Sequence, residues 1–247
     1  METLYIVIPA YNEEKTISAV IDDWYEVVKK HNGGGKSRLV VIDDGGEDHT
    51  YEIAKNKKEK MPLLEVIKKK NSGHAPTCMY GYRYALKNGA DMVFQTDSDG
   101  QTLASEFEPF WDALKENDVI MGFREKRGDG FGRLVVSRGL SIVNFLIFHV
   151  KVKDANVPYR LMKAEALEKT LALVPKDFVL GNAVLSVAFE KNGYHIKYLP
   201  ISFVVRGGGV SMYNLKKIVG LGMKSLSSFV KINKHMTQKI KGGKKKA

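Results

Sequence analysis

Two carboxylates two positions apart, Asp97 and Asp99, sit in the run Phe94-Gln95-Thr96-Asp97-Ser98-Asp99-Gly100-Gln101, at the end of the short apolar stretch Met92 to Thr96. Hard divalent cations such as Mg2+ select carboxylate oxygens, usually together with water and substrate phosphates. If the apolar stretch is a buried parallel strand, both acids emerge at its C-terminal end, where open α/β sheets bind their ligands. A helix N-cap with acids near the positive end of the dipole would use the same residue types. The pair by itself leaves both readings open.

Further polar clusters follow other apolar runs. Asp43-Asp44-Gly45-Gly46, with Asp48 and Thr50 behind it, comes after Leu39 to Ile42, and Asn71-Ser72-Gly73-His74-Ala75 comes after Leu63 to Ile67. Arg124 closes the run that starts with Val119-Ile120-Met121. Asp154 to Arg160 reads as a polar loop with a charge at each end, and Arg206-Gly207-Gly208-Gly209-Val210-Ser211 as a backbone-exposing loop suited to an anion. Guanidinium geometry suits phosphate at Arg124 and Arg206, with a surface ion pair as the plainer use of either. Two apparent phosphate motifs fail on context. Gly35-Lys36-Ser37 has Lys30 where a P-loop needs its first glycine, and it runs from helix to strand. Gly128-Asp129-Gly130-Phe131-Gly132 lacks the third glycine of a dinucleotide fingerprint and follows a charged stretch, which favours a mobile loop.

These clusters need elements to hold them. Leu4 to Ile8 reads as a buried strand, stopped by Pro9 before Ala10-Tyr11-Asn12-Glu13-Glu14. Ile17, Val20, Ile21, Trp24 and Val28 then fall at helical spacing between Glu13 and Lys30. Strands over 39–42, 63–67, 92–96 and 119–121 alternate with helices expected over 50–60, 76–88 and 103–117. Such alternation implies an α/β fold with a mostly parallel, doubly wound sheet flanked by helices, so the polar clusters gather along one edge. Farther on, the pattern predicts a largely apolar helix from Leu134 to about Phe148, a helix from Asn182 to Asn192 and a strand from Tyr198 to Val205. Leu215, Ile218, Val219, Leu226, Phe229 and Val230 make one helical stripe, while Lys217, Lys224 and Lys231 recur on another face. A C-terminal basic amphipathic helix is expected there, followed by a disordered tail from Lys241 to Ala247.

The 247 residues, 44% hydrophobic and 27% charged, suffice for one large α/β domain or two small ones. The single Cys78 excludes an intrachain disulfide and points to a reducing, cytoplasmic setting. Leu4 to Ala10 lacks the basic flank and length of a signal peptide, and Gly139 to Val150 falls short of the roughly 20 residues a spanning helix needs. No transmembrane segment is expected. The net charge of +11 is localised: no acid follows Glu190, while residues 191–247 hold 13 of the 39 Lys and Arg. The remaining 26 basic and 28 acidic residues nearly cancel. The basicity therefore belongs to the C-terminal part and suits an anionic partner, a membrane surface or nucleic acid.

Taken together, the motifs resemble inverting family 2 glycosyltransferases of the GT-A fold, and within them the dolichyl- and polyprenyl-phosphate sugar synthases. The resemblance covers roughly residues 3 to 215 and rests on ordered motifs: Ile8-Pro9-Ala10-Tyr11-Asn12-Glu13, Asp43-Asp44-Gly45 with Asp48 and Thr50, Asn71-x-Gly73, Asp97-x-Asp99-Gly100-Gln101, Asp154 to Arg160, and Arg206-x-x-Gly209-x-Ser211. It implies residues 1–212 as the catalytic domain, with 1–101 the nucleotide-binding half and 102–212 the acceptor half, and 213–247 as basic helix and tail. By the same resemblance, Pro9, Tyr11, Glu13, Asp43 and Asp44 hold the nucleoside, with Asn71, Gly73 and Ser211 also in the donor site. Asp97 contacts the donor sugar, Asp99 ligates Mg2+ or Mn2+, Gln101 lies beside the metal, and Arg124 and Arg206 clamp phosphate. The implied partners are a UDP- or GDP-sugar donor, a lipid-phosphate or glycan acceptor and an anionic membrane surface rather than nucleic acid. The implied location is cytoplasmic, peripheral on the inner face of the cell membrane.

The chain departs from the family pattern in three places. Leu180-Gly181-Asn182 stands where many relatives carry a Glu or Asp, leaving Asp154 and Asp177 as the nearest carboxylates for a general base. Gly46 replaces the usual Ser, and Val157-Pro158-Tyr159 a more usual Ser-Gly-Phe. A phosphate acceptor is already anionic and needs no base, so the missing carboxylate fits a lipid-phosphate acceptor. Transfer to a saccharide hydroxyl, nucleotidyl transfer and a non-catalytic basic-tailed binding protein are the competing readings.

Overall fold

The computed structural model describes residues 1–124, 146–174, 181–204, 229–238 and 240. Strands β1 (Leu4–Ala10), β2 (Arg38–Asp43), β3 (Leu64–Lys68), β4 (Met92–Thr96), β5 (Val119–Arg124), β6 (Tyr159–Lys163) and β7 (Ile196–Ile201) form one sheet in the order β3-β2-β1-β4-β6-β5-β7. β1 pairs in parallel with β2 and β4, β2 with β3, and β5 with β7. β6 runs antiparallel between β4 and β5. The helices are α1 (Ile17–Lys30), α2 (Thr50–Lys58), α3 (His74–Lys87), α4 (Glu108–Ala113), α5 (Ala164–Leu171) and α6 (Gly181–Asn192), with a further helical stretch over 229–238.

Strand alternation divides the core into two layers. Ile6 and Ile8 of β1 join Trp24 of α1, Phe94, Phe107 and Tyr159 on one face. Tyr5 and Val7 join Tyr82 of α3, Leu167 of α5, Leu185 of α6 and Phe229 on the other. The helical spacing of Ile17, Val20, Ile21, Trp24 and Val28 explains α1, since all of them are buried. Trp24 is the hub of its layer, with ring centroids 5.0 Å from Phe94 and 5.8 Å from Tyr159.

Several expected boundaries move for local reasons. The helix expected over 103–117 breaks into a 3-10 turn, Ala104–Glu106, and the short α4, because Pro109 is tolerated only in a first turn. The same tolerance lets α3 begin at His74, two residues before Pro76. The expected loop Asp154 to Arg160 gives up its last two residues to β6, and neither β6 nor α5 was expected from the sequence. β7 ends at Ile201 and carries Pro200 at the sheet edge, where a missing N–H leaves no ladder bond unmade.

Of the expected Leu134 to Phe148 helix, residues 146–148 are described and helical. Of the expected basic amphipathic helix, the described portion starts at Phe229. Phe229, Ile232 and Met236 are buried, and Val230 is 57% exposed. Phe229 packs 5.7 Å from Phe148, and Asn233 Nδ2 donates to the Ile147 carbonyl at 2.6 Å. Residues 213–228 and the tail 241–247 lie outside the described residues. Among the described residues, no helix is long and apolar enough to cross a membrane.

Candidate active site

The parallel strands β1 to β4 end together, and their polar successors meet at one edge. The loops after β1 and β2 are stitched to each other: Asn12 Oδ1 accepts from the Glu47 amide at 2.9 Å, Thr50 Oγ1 from the Glu13 amide at 2.8 Å, and Asp48 Oδ2 from the Glu14 amide at 3.0 Å. Pro9 is buried at the end of β1, whereas Tyr11 is 48% exposed just past it. A concavity of about 490 Å³ opens among Asn12, Glu13, Glu14, Lys15, Glu47 and Asp48. Thr16, absent from the sequence-derived site, ties this loop to the acidic motif by donating to the Ser98 carbonyl at 2.8 Å.

The neighbouring carboxylates Asp43 and Asp44 have opposite surroundings. Asp43 is 1% exposed, and neither of its oxygens has a hydrogen-bond partner among the described residues. Burial pushes its carboxyl up, and the nearby Gly46 amide offsets part of this without completing a hydrogen bond. Asp44 accepts from the Ser72 amide at 2.9 Å, the Gly73 amide at 2.8 Å and the Lys69 ammonium. Burial pushes this carboxyl up too, but Lys69 and the amides outweigh it and hold Asp44 below the usual carboxylate range. Gly45 permits the arrangement: its φ is +70°, and a Cβ there would lie 2.9 Å from the Asn71 amide nitrogen. Asn71 itself is exposed on the loop that Asp44 clamps, and Gly73, with φ +92°, caps α3.

Asp97 and Asp99 emerge from β4 as the sequence spacing implied. Asp97 Oδ1 accepts from His74 Nε2 at 2.8 Å and from Gln95 Nε2 at 3.1 Å; Asp99 Oδ1 accepts from the Gln101 amide at 3.1 Å. The imidazolium form of His74 is favoured, first by the Cys78 sulfur 3.8 Å away and then by Asp97. His74 was quoted in the sequence cluster without a role; its place beside Gly73 was the available signal. Gln101 exchanges two bonds with Val204, its side-chain nitrogen donating at 2.8 Å and its carbonyl accepting at 2.9 Å. Val204 is the last described residue before Arg206 and Ser211, which lie outside the described residues, as does Asp177.

Among the described residues, no group of three or more His, Cys, Asp and Glu side chains could hold a metal ion. Two carboxylates two positions apart at the end of β4, Asp97 and Asp99, nevertheless fit a hard cation that takes its other ligands from water and phosphate. Arg124 and Asp154 form a bidentate pair at 2.8 and 3.0 Å, with the guanidinium also 4.9 Å from the Phe203 ring centroid. This nearly buried pair joins the end of β5 to the loop before β6. The other end of the cluster, Arg160, points into the interior and is fully buried.

A parallel sheet with one inserted antiparallel strand and an acidic pair at the end of β4 defines the GT-A class of sugar-transferring folds. A family model for glycosyl transferase family 2 matches residues 5–171, and the chain belongs to that family. It is 28% identical over 225 residues to the UDP-N-acetylglucosamine–dolichyl-phosphate N-acetylglucosaminyltransferase of Methanococcus voltae, covering 81% of this chain and 85% of that protein. It is 25% identical over 217 residues to the polyprenol monophosphomannose synthase of Mycolicibacterium smegmatis, covering 83% and 79%. Its fold matches glucosyl-3-phosphoglycerate synthase from Mycobacterium tuberculosis in complex with Mn2+ and UDP-glucose, with a TM-score of 0.59, 19% identity and coverage of 93% and 79%. The chain is a glycosyltransferase.

Proposed function

We propose that this glycosyltransferase uses a divalent metal to move a sugar from a UDP- or GDP-sugar onto polyprenyl phosphate, with inversion at the anomeric carbon. The observation that carries the reading is that both relatives, matched over 81% and 83% of this chain, are named for a polyprenol-type phosphate. Mg2+ or Mn2+ held by Asp99, with Asp97 and Gln101 beside it, would supply charge neutralisation for the departing nucleoside diphosphate. Tyr11 offers an exposed ring to the base, and Asp44 fixes the Ser72-Gly73 backbone of the loop before α3. Both oxygens of Asp154 accept from Arg124. An anionic acceptor oxygen attacks without a base, which suits a phosphate.

The test is transfer of labelled sugar from UDP-GlcNAc, UDP-glucose or GDP-mannose into undecaprenyl phosphate in detergent with Mn2+. Transfer with release of UDP or GDP is expected, and Asp99→Asn should lower kcat/KM by about 100-fold or more while the Tm stays within about 2 °C. Label found only in a water-soluble glycan pool would overturn the lipid acceptor. Undiminished turnover by Asp99→Asn would overturn the metal role.

A further inference from the structure

Beneath Asp97 lies a chain of polar groups that an apolar core does not need. Gln95, Tyr82, Arg160 and Ser186 are fully buried, and Asn182 is 2% exposed. Gln95 Nε2 donates to Asp97, and Gln95 Oε1 lies 3.2 Å from the Tyr82 hydroxyl. That hydroxyl is also 3.4 Å from Asn182 Oδ1, so one proton serves two acceptors. The Asn182 carbonyl accepts from Arg160 Nη1 at 3.1 Å, and Arg160 Nη2 donates to the Val157 carbonyl at 2.7 Å. Ser186 Oγ completes the path by donating to the Ala155 carbonyl at 2.9 Å. Strand register enforces it, because Gln95 and Arg160 are direct partners across β4 and β6.

Such a chain is costly. Each buried polar atom must recover its desolvation, and Arg160 Nε has no hydrogen-bond partner among the described residues. Apolar side chains of similar volume would hold the sheet against α3 and α6 at less cost. The chain's ends explain its retention: one is the Asp97 carboxylate, the other the 154–158 loop that carries Asp154 and, through it, Arg124. We propose that Gln95, Tyr82 and Asn182 are positioning residues that orient Asp97 and couple it mechanically to the 154–158 loop. The proposal rests on the reading of Asp97 as part of the transfer site.

Tyr82→Phe in the full chain keeps the ring and removes only the hydroxyl. Amide hydrogen exchange of the free protein should rise by about threefold or more in peptides spanning 95–101 and 154–158, with β1 to β3 unchanged. With the donor and undecaprenyl phosphate, kcat should fall about tenfold while the donor KM stays within about twofold. A uniform rise in exchange, a rise confined to α3, or an unchanged kcat would each overturn the proposal. Gln95→Met, read by the same two measurements, replaces Tyr82→Phe if that variant does not fold. Exchange needs no substrate: a wild-type chain that transfers no sugar defeats the functional reading alone, and the coupling is still decided.

Discussion

In β1 and β2 the strand interiors are apolar and the polar groups wait at the C-terminal ends, whereas between β4 and β6 a glutamine and an arginine face each other inside the sheet. On the first side, ligand-facing residues hang from a dry, close-packed frame and tie one loop to the next. On the second, the frame itself is polar, and the acidic motif shares bonds with it. The first arrangement separates stability from function; the second makes them share residues. Even Asp43 and Asp44 repeat the contrast at short range, one buried without a hydrogen-bond partner among the described residues and the other held by a cation and two amides.

The contrast can be broken first at its apolar extreme. Trp24→Ala empties the centre of the layer beneath β1 and β4, so urea unfolding should show a loss of about 3–5 kcal/mol. Arg160→Met should cost about 2–4 kcal/mol by the same measurement, because the Val157 and Asn182 carbonyls lose their buried donor. A neutral or stabilising result would show the polar frame to be dispensable for folding.

The smallest effects concern pH. Asp44 has a folded pKa below its unfolded 3.8, so its stabilisation is present above pH 3.8 and lost as pH falls through the folded value. Asp44→Asn should therefore lose stability at neutral pH, by about 1 kcal/mol, and flatten the acid limb of the unfolding curve. Asp43 has the opposite sign: with its folded pKa above 3.8, stability falls as pH rises from 3.8 through the folded value. Asp43→Asn should consequently be neutral or stabilising at pH 7, and an equal loss from both variants in thermal melts would erase the distinction.

How much of this was legible varied with how local the cause was. Residues 4–10 and 39–42 announce strands by unbroken apolar runs and 92–94 by a shorter one that Gln95 interrupts, and each is followed by the polar residues that reach the site edge. β6 was not legible because Tyr159-Arg160-Leu161-Met162-Lys163 looks like the tail of a loop, and its pairing with β4 spans a long stretch of chain. His74, Lys69 and Thr16 were missed as site residues because their partners, Asp97, Asp44 and Ser98, are remote in sequence.

By itself, the sequence determined the α/β class and the strand ends that carry Asp44, Asp97 and Asp99, because periodicity and turn chemistry act over a few residues, and its ordered motifs carried the resemblance to sugar transferases. Only the tertiary structure decided that Arg124 is paired with Asp154, that Arg160 is buried under Asp97, and that Asp43 and Asp44 have opposite surroundings. Those outcomes depend on desolvation and on neighbours brought from distant strands, which no local pattern encodes.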